Sequence, residues 1–344
     1  METLAVKYRP SIFSDVTEQS VISEILMNQI KTGNVRNAYL FSGASGTGKT
    51  TSARIFAHEL NDSEDNNMIT ELDAASHGSV EDFRRIIEDS KFKPIGNKYR
   101  IFIIDECHSA SNAAWQSALK AIEEPTPTSI FIFCTTDPQK IPSTIISRVQ
   151  QFNFNKISHN GIINRLKYII ESENNDGNNY TYDDDAISYI AKLADGGMRK
   201  AITMLEKVLS LSNHVTMSTV VDALGTVDYS IMFDFTDALC KMDKKRALSI
   251  IDSIHKNGND LKQFIKLYTS FVLDLCKYRI FDKDFDFLQI PSTFSNRFSA
   301  YTNSDYSFFN DLLNEMINLN NTIKWDSMPK PIIESTIIIL CSEA

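Results

Sequence analysis

Long apolar runs are missing from this 344-residue sequence. No stretch approaches the roughly 18 apolar residues that a membrane-crossing helix needs. The opening METLAVKYRP also lacks the apolar segment of a secretory signal, so a cytoplasmic location without a membrane partner is expected. Glycine (12) and proline (9) are sparse, and 42% of residues are hydrophobic, which excludes low-complexity and extended disordered classes. The five cysteines, Cys107, Cys134, Cys240, Cys276 and Cys341, are scattered without a CxxC spacing. That argues against a zinc site or disulfide frame and reads as small buried hydrophobes in a reducing compartment. Positive charge is in short supply too: 35 Lys and Arg against 44 Asp and Glu leave a net charge of −9. A protein coating nucleic acid with its whole surface is thereby disfavoured, although one basic face on an acidic body stays open.

What is present suggests two or three domains for this length. The first half alternates short apolar runs with helix-period segments, the pattern of a parallel sheet wrapped by helices. Strands are expected at Ala38–Ser42, Ile69–Asp73, Ile101–Asp105, Ser129–Thr135 and Gln151–Phe154, with helices such as Thr50–Leu60 and Val80–Ser90 between them. Ser79 stands three residues before Asp82, the spacing of a capping box. Beyond about residue 155 no strand is expected. Ser172–Asp184 reads as a polar loop, Asp184–Asp195 and Met198–Leu211 as a helix pair broken at Gly196-Gly197. The character changes near Leu224–Tyr229, after which Lys262–Tyr278 and Phe308–Ile323 are further helices.

Gly43-Ala44-Ser45-Gly46-Thr47-Gly48-Lys49-Thr50, followed by Thr51, fits GxxxxGK[ST] between a strand and a helix. Glycines there let backbone N–H groups turn toward phosphates, and the helix N-terminus adds its positive end. Lys49, expected to face solvent, would reach the terminal phosphates of ATP, and Thr50 would hold Mg²⁺. Ile101–Ile104 ends in Asp105 and Glu106, a strand tip that places one acid near the metal and the other near an attacking water. The strand Ser129–Thr135 ends in Thr135-Thr136-Asp137, where a polar group could sense the last phosphate or simply form a turn. Arg199 opens a helix, where a cation opposes the helix dipole, and this suggests that it faces an anion. Arg148 follows a short helix begun at Pro142, where a cation needs no functional reason.

Together these residues resemble the AAA+ DNA sliding-clamp loader ATPases: the bacterial DNA polymerase III gamma/tau subunit and, more distantly, replication factor C. Val6-Lys7-Tyr8-Arg9-Pro10 with Phe13-Ser14-Asp15-Val16 is similar to the family's adenine-contacting segment. AYLFSGASGTGKT (38–50), ELDAAS (71–76), DECH (105–108), Glu123-Glu124-Pro125 and TTDPQKIP (135–142) continue the match in order. The resemblance implies that Tyr8, Arg9, Pro10 and Val16 join the phosphate loop in the nucleotide site. It makes Thr136 sensor 1 and Arg199 sensor 2, and gives Arg148 of Ser147-Arg148 a role on the neighbouring subunit's ATP. Lys49, Glu106 and Arg148 would then be the catalytic set, with Thr50 and Asp105 holding Mg²⁺.

The same resemblance implies a AAA+ α/β domain (1–155), a helical lid (156–224) and an all-α collar (225–344). Its partners would be the other subunits of a five-membered ring, a sliding clamp, primer-template DNA and, indirectly, the polymerase. Arg84 and Arg85, flanking an apolar face of Val80, Phe83 and Ile87, and Gln116, Ser117 and Lys120 on the next helix would track the DNA backbone. The competing account of these charges is a solvated helix surface. Three departures stand out. Asn61–Met68 replaces the family's cysteine module, so no zinc is expected. Val149 takes the place of a motif cysteine, and no long segment follows the third region, so a polymerase tether is not expected. A viral or shortened loader, in the cytoplasm of a bacterium or infected cell, fits these features. Rival readings are a branch-migration or unfoldase motor of the same fold, a metabolic kinase, and a loader subunit that does not hydrolyse ATP.

Overall fold

The computed structural model describes residues 2–62, 66–225, 228–281, 288, 290, 294–301 and 306–342. Part of the expected link Asn61–Met68 (63–65) and of the transition Leu224–Tyr229 (226–227) lies outside the described residues. The chain divides into two compact units. One comprises Met1–Ser172 with Leu193–Glu206, the other Glu173–Lys192 with Lys207–Ala344.

In the first unit α1 (Leu4–Lys7) and α2 (Ser20–Thr32) precede β1 (Ala38–Gly43), α3 (Lys49–Asn61), β2 (Ile69–Asp73) and α4 (Val80–Asp89). Then come β3 (Arg100–Asp105), α5 (Asn112–Glu123), β4 (Ser129–Thr135), α6 (Ser143–Ile146), β5 (Gln150–Phe154) and α7 (His159–Asn175). All five strands pair in parallel in the order β2-β3-β4-β1-β5. The apolar runs form strands because both faces are covered. Tyr39, Phe41, Ile101, Ile103, Ile132 and Phe152 pack on one side with α2 and α3. Leu40, Phe102, Ile104, Phe131 and Phe133 pack on the other with α4 and α5. The register Ser42↔Thr135 and Asp73↔Asp105 brings the carboxyl ends of β1, β4, β3 and β2 to one edge, where ligands of open α/β sheets bind.

The Ser79–Asp82 capping box forms as its spacing suggests, with the Ser79 hydroxyl accepting from the Asp82 N–H at 3.2 Å. The apolar face of α4 differs from expectation. Phe83 and Ile86 are buried, while Val80 and Ile87 are half-buried flanks. The helix packs against α5 as well as the sheet, which turns its stripe by one residue. Arg84 and Arg85 are exposed.

In the second unit α8 (Asp184–Ala194), α9 (Met198–Leu211), α10 (Met217–Leu224), α11 (Tyr229–Cys240) and α12 (Lys244–Lys256) follow, α7, α8 and α9 each contributing residues to both units. They continue into α13 (Leu261–Ile280), α14 (Ser295–Ser299), α15 (Tyr306–Ile323) and α16 (Pro329–Leu340). Phe233, Phe235, Phe264, Tyr268 and Phe271 form an aromatic core there. Two features correct the expectation of a loop over 172–184 and of no further strands. Helix α7 runs to Asn175, and β6 (Thr181–Tyr182) pairs in parallel with β7 (His214–Val215). The polar run ends the helix instead of breaking it, because Asn174 bonds both backbone groups of Tyr180. A two-residue strand leaves no hydrophobic period to read. All five cysteines are free thiols. Among the described residues no helix is long and apolar enough to cross a membrane.

Candidate nucleotide site

The turn from β1 into α3 is built by backbone geometry that side chains resist. Gly48, the N-cap of α3, has φ +101°, and a Cβ on Gly197 would come within 2.9 Å of the Ser45 carbonyl. That close approach lets the Met198 N–H donate to the Gly46 carbonyl at 3.0 Å, tying the start of α9 to the phosphate loop. Around this junction lies a cavity of about 380 Å³, a size suited to a small-molecule ligand. Ser45 to Thr51, Asp105, Glu106 and Arg199 form one end. Tyr8, Pro10, Val16, Ile157, Met198 and Ile202 supply its apolar wall.

At the tip of β3 the Asp105 carboxylate accepts from the Thr50 hydroxyl at 2.7 Å. Hard oxygen donors from two residues, open to phosphate oxygens, are the usual protein share of a Mg²⁺ site, so the residues present fit that ion. Glu106, in the left-handed region at φ +44°, donates its N–H to the Asp105 carboxylate at 2.9 Å and its own carboxylate accepts from the Thr136 hydroxyl at 3.0 Å. Lys49 departs from expectation: it is buried, and its Nζ donates to the Gly43 and Ala44 carbonyls at 2.9 and 2.8 Å. Burial lowers its ammonium below the ordinary value, opposed by Cys134, Glu106 and Asp105. The loop carbonyls thus satisfy a charge that the low-dielectric site would otherwise leave unpaired.

Arg9 also lines the cavity. Its guanidinium lies below the usual range, first through burial and then through Arg54 and Arg199, with Glu71 opposing. The guanidinium groups of Arg9, Arg54 and Arg199, gathered at one cavity, are suited to a polyanion. Arg148 lies outside the cavity wall. It pairs with Glu123 at 2.7 Å and donates to the Thr144 carbonyl at 2.8 Å. Gln116 and Lys120 are exposed on α5, and Ser117 is half-buried there.

Two family patterns match this chain. DNA polymerase III, delta subunit, covers residues 65–158, and DNA polymerase III subunits gamma and tau domain III covers 215–304. The chain is 30% identical to DNA polymerase III subunit tau of Bacillus subtilis over 97% of its length, spanning 62% of that protein. It is 33% identical to DNA polymerase III subunit gamma of Buchnera aphidicola, over 77% of each chain. The chain belongs to the DNA polymerase III gamma/tau family. Among solved structures, the Thermotoga maritima RuvB Holliday junction branch migration motor aligns with a TM-score of 0.51 at 20% identity, over 67% of this chain and 79% of that one. That likeness concerns the fold alone: a AAA+ sheet domain followed by helical regions. The chain spans 48% of the gamma/tau subunit of Mycoplasma genitalium, so it matches only part of several longer relatives.

In this gamma/tau chain several cavity residues carry no motif of their own. Arg54 lies one turn beyond Thr50 on α3 and pairs with Glu71 through two hydrogen bonds of 2.8 and 2.6 Å. Helical spacing from the phosphate loop points to it. Arg165 on α7 donates to the Tyr8 carbonyl at 2.9 Å and lies over the Tyr168 ring at 5.0 Å. Nothing local marks it, since 157 residues separate it from Tyr8.

Proposed function

We propose that this chain is an ATP-hydrolysing subunit of a sliding-clamp loader, acting in a five-membered ring that opens a clamp and closes it on primer-template DNA. The observation that carries the reading is the Thr50–Asp105 contact beside Glu106, in a cavity lined also by the phosphate loop, by cations and by an apolar wall. Membership of the gamma/tau family favours clamp loading over branch migration, which the same fold also serves. The division into nucleotide domain (1–155), lid (156–224) and collar (225–344) belongs to this proposal.

In this reading the loop N–H groups of Ser45 to Thr51 cradle the phosphates. Lys49 exchanges the Gly43 and Ala44 carbonyls for phosphate oxygens. Tyr8, Arg9, Pro10 and Val16 hold the base and sugar side, and Arg199 meets the phosphate tail from α9. Thr50 and Asp105 would hold Mg²⁺, whose charge offsets that developing on the transferred group. Glu106 orients the attacking water and accepts its proton through Oε1, while the Thr136 hydroxyl donates to Oε2. Glu106→Gln keeps the shape but loses the base. We expect it to bind ATP with little change while multiple-turnover hydrolysis, with and without primer-template and clamp, falls by about 10²–10⁴-fold. Hydrolysis at the normal rate would remove Glu106 from this role.

DNA is assigned to Arg84, Arg85, Gln116 and Lys120, exposed on α4 and α5. Sequence-independent phosphate contacts release counterions, so each lost cation lowers the salt slope by roughly one unit. Arg84→Ala and Lys120→Ala are each expected to weaken primer-template binding and flatten its salt dependence. Unchanged affinity and slope in both would leave these cations as solvated surface.

A further inference from the structure

We propose that His108 is a positioning residue for Glu106, an inference that rests on the ATPase reading above and names a further part of its machinery. Glu106 follows β3 in a left-handed backbone conformation, φ +44° and ψ +40°, that a non-glycine residue adopts only when its surroundings hold it there. The next three residues, Cys107–Ser109, make a single 3-10 turn, and Cys107 is fully buried beneath it. That anchor returns the His108 side chain toward the strand tip, where its Nδ1 lies 3.3 Å from Glu106 Oε2.

The same Nδ1 lies 3.2 Å from the hydroxyl of Thr135, the last residue of β4. Thr135 is itself completely buried, and its hydroxyl oxygen accepts from the Asp137 N–H at 3.0 Å. The imidazole therefore bridges the rigid end of the neighbouring strand and the carboxylate. With Thr136 donating to the same Oε2 at 3.0 Å, one oxygen of Glu106 meets both the hydroxyl that follows β4 and an imidazole held to the last residue of β4. The ring's hydrogen bond runs between Nδ1 and the Thr135 hydroxyl, and the 3.3 Å approach to Oε2 is a close polar contact beside it. Glu106 also lines the nucleotide cavity, so holding Oε2 fixes the direction in which the rest of the carboxylate meets a water there.

Removing a partner that orients a reacting group from behind typically costs about 10–100-fold in activity. His108→Phe keeps a ring of similar volume without Nδ1. His108→Asn places an amide nitrogen near where Nδ1 stands. The test measures ATP affinity and single-turnover hydrolysis for the full chain, assembled with the subunits that accompany it from its host. We expect His108→Phe to lower the hydrolysis rate about 10–100-fold with ATP affinity within about twofold of normal, and His108→Asn to recover most of that loss. Combined with Glu106→Gln, His108→Phe should add nothing further, because both act through one carboxylate. A normal rate for His108→Phe, equal impairment of the Asn and Phe variants, or full additivity with Glu106→Gln would overturn the assignment while leaving the ATPase reading intact. Absence of hydrolysis by the unmutated complex would overturn that reading and this inference with it.

Discussion

Lys49→Ala should abolish ATP-dependent activity and leave the folded structure standing. The expected fall in turnover is about 10²–10³-fold or more, the range seen when one preorganised charge donor is lost from a developing anion. The side chain is buried, so the substitution is not a surface change. It removes the donor to the Gly43 and Ala44 carbonyls, 2.9 and 2.8 Å away. Lys49 itself lines the cavity, so the space its stem leaves opens there and lets water reach the two carbonyls. A shift of a few degrees in melting temperature is therefore expected, not unfolding. Steady-state hydrolysis and ATP titration read the first effect, and thermal unfolding without nucleotide reads the second. Turnover within tenfold of normal would show that Lys49 does not contact the reacting phosphate.

Arg148→Ala is expected to lose about 10³–10⁵-fold in hydrolysis, the size of effect associated with an arginine supplied across an interface. Within its own chain Arg148 pairs with Glu123 at 2.7 Å, the two side chains being 38% and 40% exposed. An ion pair that open to solvent contributes only about 0–1 kcal/mol, so little opposes Arg148 turning toward a neighbour. Action in trans has a distinctive signature. A ring mixed from Arg148→Ala and Lys49→Ala chains contains interfaces where an intact Lys49 meets an intact Arg148. Such mixtures should regain part of the activity that each variant lacks alone. Failure to complement at any ratio, in rings shown to exchange subunits, would place Arg148 in a structural role with Glu123.

The parts of this molecule legible before folding share a physical property: their chemistry is local. Phosphate binding needs glycines and a lysine at fixed spacing between one strand and one helix, so Gly43–Thr50 announces itself. The strand at Ser129–Thr135 was readable to the residue, because burial on both faces demands an unbroken apolar run, and the half-exposed edge strand Ile69–Asp73 kept its expected bounds as well. The capping box at Ser79 and Asp82 is legible for the same reason, since four residues settle it. Misreadings arise where more than one neighbour decides. The stripe of α4 turns toward Ile86 because α5 covers it as well as the sheet. The pair β6 and β7 joins residues 33 apart and is too short to leave a pattern.

Lys49 shows the boundary clearly. Its identity and its place in the loop follow from the sequence, but its burial against two loop carbonyls follows from the fold around it. The sequence by itself determined the glycine-rich loop, the acid pair Asp105-Glu106 and the order of strands through β5, because each is settled within a dozen residues. Only the tertiary structure brought Arg54 to Glu71, Arg165 to the Tyr8 carbonyl and His108 to Glu106. Those contacts depend on which strand edges align and which helix faces are covered. Such choices are made by burial summed over the whole sheet, which no single segment encodes.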